Sequence, residues 1–292
     1  MAHKNPGQVL RLISRLNDGT SEFFIHIDSK VDIAPFKILE GLGNVVHFTE
    51  RFDAKWGSLG TIKPFLSCMK AVQQSNKNFD RVLLLSGQDY PIKSNEYINN
   101  FFSSNGATNF INHFPIPNYD KWPGSDRGGL YRVDKYFFGL KWHEFLCSKS
   151  LNLLSSIVPF INRKIPCKMK PYTGQTWWNL DMNAINYILD FNERHPEYIK
   201  FHKSTFVADE LFVQMILLNS NNENLIGSIS NTELRFTIWE AANSAHPKFL
   251  RADDLESIMA APDLFARKFD ELIDSEILDL IDHQILFKQV AA

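Results

Sequence analysis

One stretch of the chain limits its possible folds more than any other. Residues 82–85 are Val-Leu-Leu-Leu, an apolar run without polar alternation, and such a run is typical of a strand covered on both faces in a parallel sheet. Ser86 and Gly87 end the run, and Gly87 permits a tight turn there. Gln88 and Asp89 follow at the predicted carboxyl end, where open α/β sheets bind ligands. An ordinary strand-to-helix turn, with Asp89 as a cap, is the alternative interpretation.

Strand and helix patterns alternate around this stretch. Strand patterns occur at residues 23–28, 45–48, 80–86, 108–114 and 232–239. Helical patterns occur at residues 6–16, 59–72, 94–102, 142–161, 181–195, 205–218 and 275–287. Pro6 suits the first turn of the first helix, and Ser94 and Asp181 are expected N-caps. This order predicts an α/β fold with a largely parallel sheet.

Composition excludes several classes of protein. The net charge is -2 over 292 residues, so no overall field attracts nucleic acid, and no apolar run is long enough to span a bilayer. The three cysteines, Cys68, Cys147 and Cys167, are far apart in sequence, which indicates neither a disulfide framework nor a zinc site. We therefore expect a reducing, cytoplasmic setting.

Seven short runs carry a family resemblance. They are, in order, AHKNP (2–6), FFIHIDSK (23–30), KWGS (55–58), LLLSGQDYPIKS (83–94), GQTWWNL (174–180), FVADELF (206–212) and LFARKFD (264–270). Together they resemble the core-2/I-branching β-1,6-N-acetylglucosaminyltransferase and peptide O-xylosyltransferase family, in a bacterial-type member. The resemblance implies a GT-A-type, Rossmann-like nucleotide-sugar-binding sheet flanked by helices, with a helical C-terminal elaboration. We expect one domain over residues 1–292, with a nucleotide-binding half at 1–114 and an acceptor and diphosphate-binding half at 115–292.

The resemblance also implies a reaction. It is the transfer, with inversion, of a sugar from a UDP-sugar to a hydroxyl of a glycan, in surface polysaccharide synthesis; N-acetylglucosamine and xylose are the expected sugars. No metal or other cofactor is expected, which agrees with the lack of an Asp-x-Asp motif after a buried strand. Two alternatives stay open: a catalytically inactive carbohydrate-binding relative, and a metal-dependent nucleotidyl or phosphoryl transferase.

The resemblance assigns roles to individual residues. Glu210 matches the catalytic base of the family, and a position at a helix N-terminus would keep it ionised. The expected UDP-binding residues are His3, His26, Asp28, Lys248, Arg251 and Lys268. The expected sugar and acceptor-binding residues are Trp56, Gln88, Asp89, Gln175, Thr176, Trp177, Trp178, Asp209 and Trp239. For Lys268 the alternative is a surface helix charge paired with Asp270 or Glu271.

One departure from the family pattern lies at the start of the chain. The family has a hydrophobic strand before the AHKNP-like run, whereas this chain starts at Met1-Ala2-His3. The sequence therefore predicts a missing or truncated first strand.

The segment from Trp142 to Ile161 carries an apolar stripe, followed by Arg163, Lys164, Lys168 and Lys170. A core-facing helix with a solvated basic end is one interpretation, and contact with an anionic membrane surface is the other. The expected partners are therefore a UDP-sugar, a glycan or lipid-linked glycan acceptor and, under the second interpretation, the inner membrane face. Nucleic acid is not expected.

Overall fold

The structure, a computed structural model, describes residues 1–55, 57, 59–241, 244 and 246–290, without the side chains of residues 125, 126 and 286–290. Its α-helices are α1 (Pro6–Leu16), α2 (Ile62–Gln74), α3 (Asn95–Ser104), α4 (Tyr131–Asp134), α5 (Trp142–Ile157), α6 (Met182–Arg194), α7 (Pro196–His202), α8 (Phe212–Leu218), α9 (Glu223–Gly227), α10 (Leu255–Ala260) and α11 (Glu276–Val290). Its strands are β1 (Phe23–Ile25), β2 (Val46–Phe48), β3 (Arg81–Leu83), β4 (Asp89–Pro91), β5 (Asn109–Ile111), β6 (Phe114–Pro115), β7 (Tyr172–Thr173), β8 (Trp178–Asp181), β9 (Ile229–Ser230), β10 (Arg235–Phe236) and β11 (Phe265–Arg267). The chain is therefore a mixed α/β protein, as the order of patterns predicts.

The chain divides into two compact units, and each is built from separate stretches of sequence. Unit 1 comprises Met1–Thr49, Leu84–Gly106 and Leu234–Ala292, and unit 2 comprises Glu50–Leu83 and Ala107–Glu233. Both units contain residues from each side of position 114. The single domain over residues 1–292, with a nucleotide-binding half at 1–114 and an acceptor and diphosphate-binding half at 115–292, stays a prediction.

The described residues of unit 1 form two small sheets and two apolar clusters. Strands β1 and β2 are parallel, and a second sheet has the order β10-β11-β4. Helix α1 begins at Pro6, as predicted, and buries Val9 and Ile13 in one cluster and Leu12 in the other. The same helix buries Gln8, whose amide donates to the carbonyl oxygens of Gly87 (2.7 Å) and Phe269 (3.2 Å). This helix therefore joins the two loops that hold Gln88 and Lys268.

The first residues of the chain pair with their neighbours in unit 1. Ala2 forms a parallel bridge with Ile27, and the Gly87 amide donates to the Met1 carbonyl at 2.9 Å. A side chain at position 87 would meet Val9 at 2.8 Å and Ala2 at 3.3 Å, so glycine is required by this close approach.

Unit 2 contains a four-stranded sheet of order β3-β8-β5-β9. Its core is aromatic: Trp178 packs edge-on against Phe65, which also contacts Phe212. Helix α6 begins where the Asp181 side chain accepts a hydrogen bond from the Ala184 amide at 2.7 Å, which confirms the predicted cap. In unit 1 the predicted Ser94 cap of α3 is also present, with the Tyr97 amide as donor.

The prediction of a largely parallel sheet is wrong. Among the described strands, β1·β2, β10·β11 and β5·β9 are parallel, whereas β11·β4, β3·β8, β5·β8 and β6·β7 are antiparallel. The strand predicted at 80–86 ends at Leu83 and is only half-buried, and Asp89 begins the next strand instead of a loop. An apolar run indicates burial, but it does not encode the direction of the neighbouring strands.

The core-facing interpretation of residues 142–161 is also wrong. Helix α5 turns most of its large apolar side chains to the surface and buries Ser148 and Ser155. Apolar spacing alone cannot show which face of a helix meets the core. No helix in the described residues has the length and apolar character needed to cross a bilayer.

Candidate active site

Glu210 lies in a single 3₁₀ turn, Ala208–Glu210, directly before α8. The helix predicted from Thr205 starts later, because Val207 has a left-handed backbone conformation with φ 51°. The carbonyl oxygen of Glu210 accepts hydrogen bonds from the Gly174 amide (2.9 Å) and the Thr173 hydroxyl (3.0 Å). The backbone at Glu210 is therefore fixed by the segment that begins the GQTWWNL run.

The carboxylate of Glu210 is paired with Arg132, a residue that sequence reasoning missed. Arg132 Nη1 donates to Glu210 Oε2 at 2.6 Å and to the Thr173 hydroxyl at 3.3 Å. The guanidinium also lies over the Trp122 ring, with its carbon 4.8 Å from the ring centroid. Arg132 lies 78 residues before Glu210 in the chain, and no local pattern signals a contact over that separation.

Close packing around Trp122 holds this arrangement. Gly129 has φ +87°, and a Cβ atom there would lie 2.5 Å from the Trp122 ring. Gly128 likewise has φ +66° and no room for a Cβ beside Pro117. Both glycines therefore let the loop fold tightly over the ring that supports Arg132.

The electrostatics of Glu210 differ from the expectation that a helix N-terminus keeps it ionised. Burial raises the pKa of Glu210, Arg132 opposes this rise, and the nearby Asp209 adds to it. The balance is a raised pKa, and the group that favours the charged form is Arg132. A carboxylate with a raised pKa near a fixed cation is suited to accept a proton.

Asp209 joins the same segment to the predicted sugar-binding run. Its Oδ2 accepts a hydrogen bond from the Thr176 hydroxyl at 2.9 Å, and burial raises the pKa of Asp209. The carbonyl of Gln175 accepts a bond from the Gln214 side chain at 2.7 Å. Trp177 is half-buried, whereas Trp178 lies in the core of unit 2. The structure therefore brings Thr176, Asp209 and Glu210 together and places Trp178 in the packing.

Gly174 is required where this run meets the sheet. A Cβ atom at position 174 would lie within 1.8 Å of the carbonyl oxygen of Asn112 and 2.6 Å of its carbon. These are backbone atoms, so a side chain could not be accommodated by a change of rotamer. Glycine at position 174 therefore allows this close approach to Asn112, and in the same position its amide donates to the Glu210 carbonyl.

Unit 1 holds the residues predicted to bind UDP. Lys268 directly follows β11, so the alternative interpretation as a surface helix charge is wrong. Its ammonium lies 4.7 Å from the Phe249 ring centroid, and the Lys4 ammonium lies 5.4 Å from the same ring. Burial lowers the pKa of Lys268, and the positive charges of Arg267 and Lys4 lower it further. Two cations therefore share one aromatic ring, and Asp270 offsets only part of their effect on each other.

Asp270 is the counter-ion of Lys4. Its carboxylate accepts hydrogen bonds from the Lys4 ammonium and, at 2.6 Å, from the Asn5 amide. These bonds lower the pKa of Asp270 despite partial burial. The AHKNP and LFARKFD runs are therefore in direct contact.

Lys248 and Arg251 lie on the segment before α10. The Lys248 ammonium pairs with Asp254 Oδ1 at 2.8 Å, and the Asp254 carboxylate also accepts from the Arg251 amide at 2.9 Å. The Arg251 side chain is exposed. Of these two predicted diphosphate ligands, Lys248 thus already has an internal carboxylate partner.

The remaining residues predicted to bind the nucleotide lie around the end of β1. His26 and Asp28 are buried, and Asp28 accepts a hydrogen bond from the Lys30 amide at 2.9 Å. The pKa of the exposed His3 imidazole is lowered, first by desolvation and then by Lys4, while Asp28 opposes the change. Gln88 is buried, and its amide donates to the Phe269 carbonyl at 3.4 Å.

Asp89 is fully enclosed in unit 1. Its Oδ2 accepts from the Ser86 amide at 2.6 Å, and its carboxylate lies 3.7 Å from Arg235 Nε and 3.5 Å from Arg267 Nε. Two arginines beside one buried carboxylate form a buried ion cluster within unit 1. Trp239 is exposed after β10, and Trp56 lies outside the described residues. The role of Asp89 in sugar binding stays a prediction.

A separate group of potential metal ligands lies in unit 2. Among the described residues, Cys167 Sγ, His195 Nδ1 and a Glu197 carboxylate oxygen come within 4.8 Å of one another. Cysteine spacing could not indicate this cluster, because its other members lie 28 and 30 residues further along the chain. These contacts are also ordinary hydrogen bonds, such as the 3.0 Å contact between His195 and Glu197.

Comparison with known proteins places this geometry in a family. Residues 1–260 match the family described as Core-2/I-Branching enzyme. The chain belongs to the Core-2/I-branching enzyme family. This confirms the resemblance carried by the seven sequence runs.

Curated relatives of this Core-2/I-branching chain include glycosyltransferases. It is 24% identical to "Xylosyltransferase oxt" of Drosophila melanogaster over 93% of this chain and 31% of the relative. It is 24% identical to "Xylosyltransferase 2" of Homo sapiens over 95% and 32%. It is 21% identical to "Beta-glucuronosyltransferase GlcAT14B" of Arabidopsis thaliana over 97% and 64%. The chain thus spans about a third of the length of the xylosyltransferases.

Proposed function

We propose that this chain is a GT-A-type, inverting glycosyltransferase that transfers a sugar from a UDP-sugar to a hydroxyl of a glycan without a metal ion. N-acetylglucosamine or xylose is the proposed sugar, and a surface polysaccharide is the proposed product. The observation that carries the proposal is the Glu210–Arg132 pair within a Core-2/I-branching family member. Relatives named as xylosyltransferases and a β-glucuronosyltransferase support the reaction class.

Glu210 is the proposed general base. Its carboxylate is held by one cation, its backbone is fixed by Thr173 and Gly174, and its pKa is raised by burial. A base in this state takes the proton of an acceptor hydroxyl as the oxygen attacks the anomeric carbon from the face opposite to UDP. The bond to UDP breaks as the new glycosidic bond forms, which inverts the configuration.

Lys268 is the proposed partner of the leaving diphosphate, with Lys4 as a second cation over Phe249. The lowered pKa of Lys268 reflects burial and the positive charges of Arg267 and Lys4, which Asp270 only partly offsets, and a diphosphate would act against both effects. Fixed cations that face growing negative charge stabilise a transition state because they need no reorganisation. His3, His26 and Asp28 are proposed to contact the uridine and ribose.

The test is a donor screen. The purified chain is incubated in EDTA with UDP-N-acetylglucosamine, UDP-xylose and UDP-glucuronic acid, and UDP release is measured with and without glycan acceptors. One UDP-sugar should give acceptor-dependent UDP release and a β-linked product by NMR. Glycan binding without UDP release from any donor would favour the catalytically inactive relative instead.

A further inference from the structure

Helix α5 is attached to unit 2 through polar side chains. Asn152 Oδ1 accepts from the Tyr136 amide at 2.8 Å, and Asn152 Nδ2 donates to the Tyr136 carbonyl at 2.9 Å. The buried Ser148 hydroxyl accepts from the Phe138 amide at 3.0 Å. Positions 148, 152 and 155 recur every three or four residues, so this polar stripe forms one face of the helix. The hydrogen bonds fix which face turns inward.

The opposite face of α5 is apolar and exposed. We define the apolar face as Trp142, Leu146, Leu153, Leu154, Ile157 and the following Phe160, all of which are exposed. Trp142 is 75% exposed, Ile157 71% and Phe160 84%. Single exposed apolar side chains are common, but a contiguous row is typical of a contact surface. Helix α5 therefore turns its polar face towards unit 2 and its apolar face towards the surface, the reverse of the usual arrangement.

Positive charge dominates the segment that carries the apolar face. Residues 135–170 contain seven lysines and arginines and one acidic residue, Glu144, although the whole chain has a net charge of -2. Glu144 is already paired with Lys55, and the side chains of Lys141, Lys149, Lys164, Lys168 and Lys170 are exposed. Arg163 does not contribute to this surface. Its guanidinium donates to the carbonyls of Lys135 (2.6 Å) and Phe201 (3.0 Å), and burial lowers its pKa to about 10.

We propose that the apolar face of α5, together with the exposed lysines of the same segment, docks the protein on an anionic lipid bilayer, with the helix lying in the plane of the membrane surface. Apolar side chains flanked by lysines match the acyl boundary and the anionic headgroups of such a surface. A second copy fits less well, because a symmetric contact would bring two sets of these lysines together. This inference is independent of the proposed glycosyl transfer.

Vesicle flotation tests the proposal. The intact chain should float at low salt with vesicles of phosphatidylcholine and phosphatidylglycerol, but not with phosphatidylcholine alone. High salt should reduce the binding, because the Debye length is already about 10 Å at 0.1 M salt. Quenching of Trp142 emission by brominated lipid should accompany flotation and should be lost in Trp142→Phe. Protein that stays unbound at low salt with anionic vesicles would overturn the proposal.

Two variants separate the contributions of charge and apolar area. The charge variant combines Lys164→Gln, Lys168→Gln and Lys170→Gln and should lower the partition coefficient about a hundredfold, since each lysine near an anionic surface contributes about fivefold. The apolar variant combines Leu153→Asn, Ile157→Asn and Phe160→Asn and should lower it at least about tenfold. All six side chains are exposed, so folding should be retained.

Matched controls use exposed residues elsewhere. They are Ile38→Asn, Ile226→Asn and Leu272→Asn for apolar area, and Lys37→Gln, Lys77→Gln and Lys203→Gln for charge. The controls should float like the wild type. Equal loss of binding in the controls and the variants would contradict a localised docking surface. Light scattering that shows a dimer, which the apolar variant dissociates, would assign the face to self-association instead.

Discussion

Glu210→Gln is the most direct test of the proposed base. Glutamine has nearly the same shape, and its side-chain oxygen can still accept a hydrogen bond from Arg132 Nη1, which lies 2.6 Å from Glu210 Oε2. It cannot take a proton from an acceptor hydroxyl at neutral pH. Turnover should therefore fall at least about a hundredfold, which is about 2.7 kcal/mol of activation free energy.

Stability should change far less than turnover. The substitution removes the ionic part of the contact with Arg132, but it also removes a carboxylate whose raised pKa shows that burial disfavours its charge. These effects oppose each other, so the free energy of unfolding should change by no more than about 1 kcal/mol. UDP affinity should stay within about twofold of the wild type, because the substitution changes the group proposed for proton transfer and none of the residues proposed to bind UDP.

The assay combines three measurements on one preparation. Turnover is measured at saturating donor, UDP affinity by calorimetry and the free energy of unfolding by denaturant titration. Glu223→Gln, on the exposed surface of α9, is the matched control and should behave as the wild type. Turnover of Glu210→Gln within about threefold of the wild type would refute the assignment of the base, and a parallel loss of UDP affinity would indicate a structural defect.

Three further predictions concern the surroundings of Glu210 and Lys268. Arg132 favours the charged form of Glu210, so Arg132→Gln should raise the pKa of Glu210 and move the acidic limb of the pH–kcat profile to higher pH. Arg132→Lys should retain more of the wild-type profile, whereas an equal loss of activity at every pH would indicate a purely structural role for Arg132. Lys268→Ala should weaken UDP binding at least about tenfold and reduce turnover, with a smaller loss in Lys268→Arg, while the wild type keeps full activity in EDTA. Activity that vanishes in EDTA and returns with manganese would refute the metal-free mechanism. Cys167→Ser would then test whether the metal acts through the Cys167–His195–Glu197 cluster. Gly174→Ala should lower the free energy of unfolding by about 1 to 3 kcal/mol, because the added methyl group meets the Asn112 backbone; unchanged stability on denaturant titration would contradict this reading of the close approach.

The sequence predicted those parts of the molecule that depend on local chemistry. The caps at Ser94 and Asp181 and the start of α1 at Pro6 follow from neighbouring residues, and all three are present. The family was also correct, because seven ordered runs carry more information than any one motif. Sequence signals were therefore reliable for features that depend on neighbouring residues, such as helix starts and caps.

The failures involve information that a linear pattern does not contain. Strand direction depends on chain reversal, so the apolar run at 82–85 could not show that β3 is antiparallel to β8. The outward face of α5 depends on hydrogen bonds made by Asn152 to a segment 16 residues away. The link between Arg132 and Glu210 spans 78 residues and has no periodic signal. Long-range pairing of polar groups was the main element that sequence reasoning missed.

The hydrogen bonds from Thr173 and Gly174 to the Glu210 carbonyl have a consequence for enzyme engineering. Residues 175 and 176, which are candidates for selecting the sugar, directly follow Thr173 and Gly174 in the chain. A library that varies positions 175 and 176 to change the sugar should therefore also move Glu210, the proposed proton acceptor. We expect altered donor preference and altered rate to be selected together, so directed evolution of a new specificity will need compensating changes at Arg132 or Asp209.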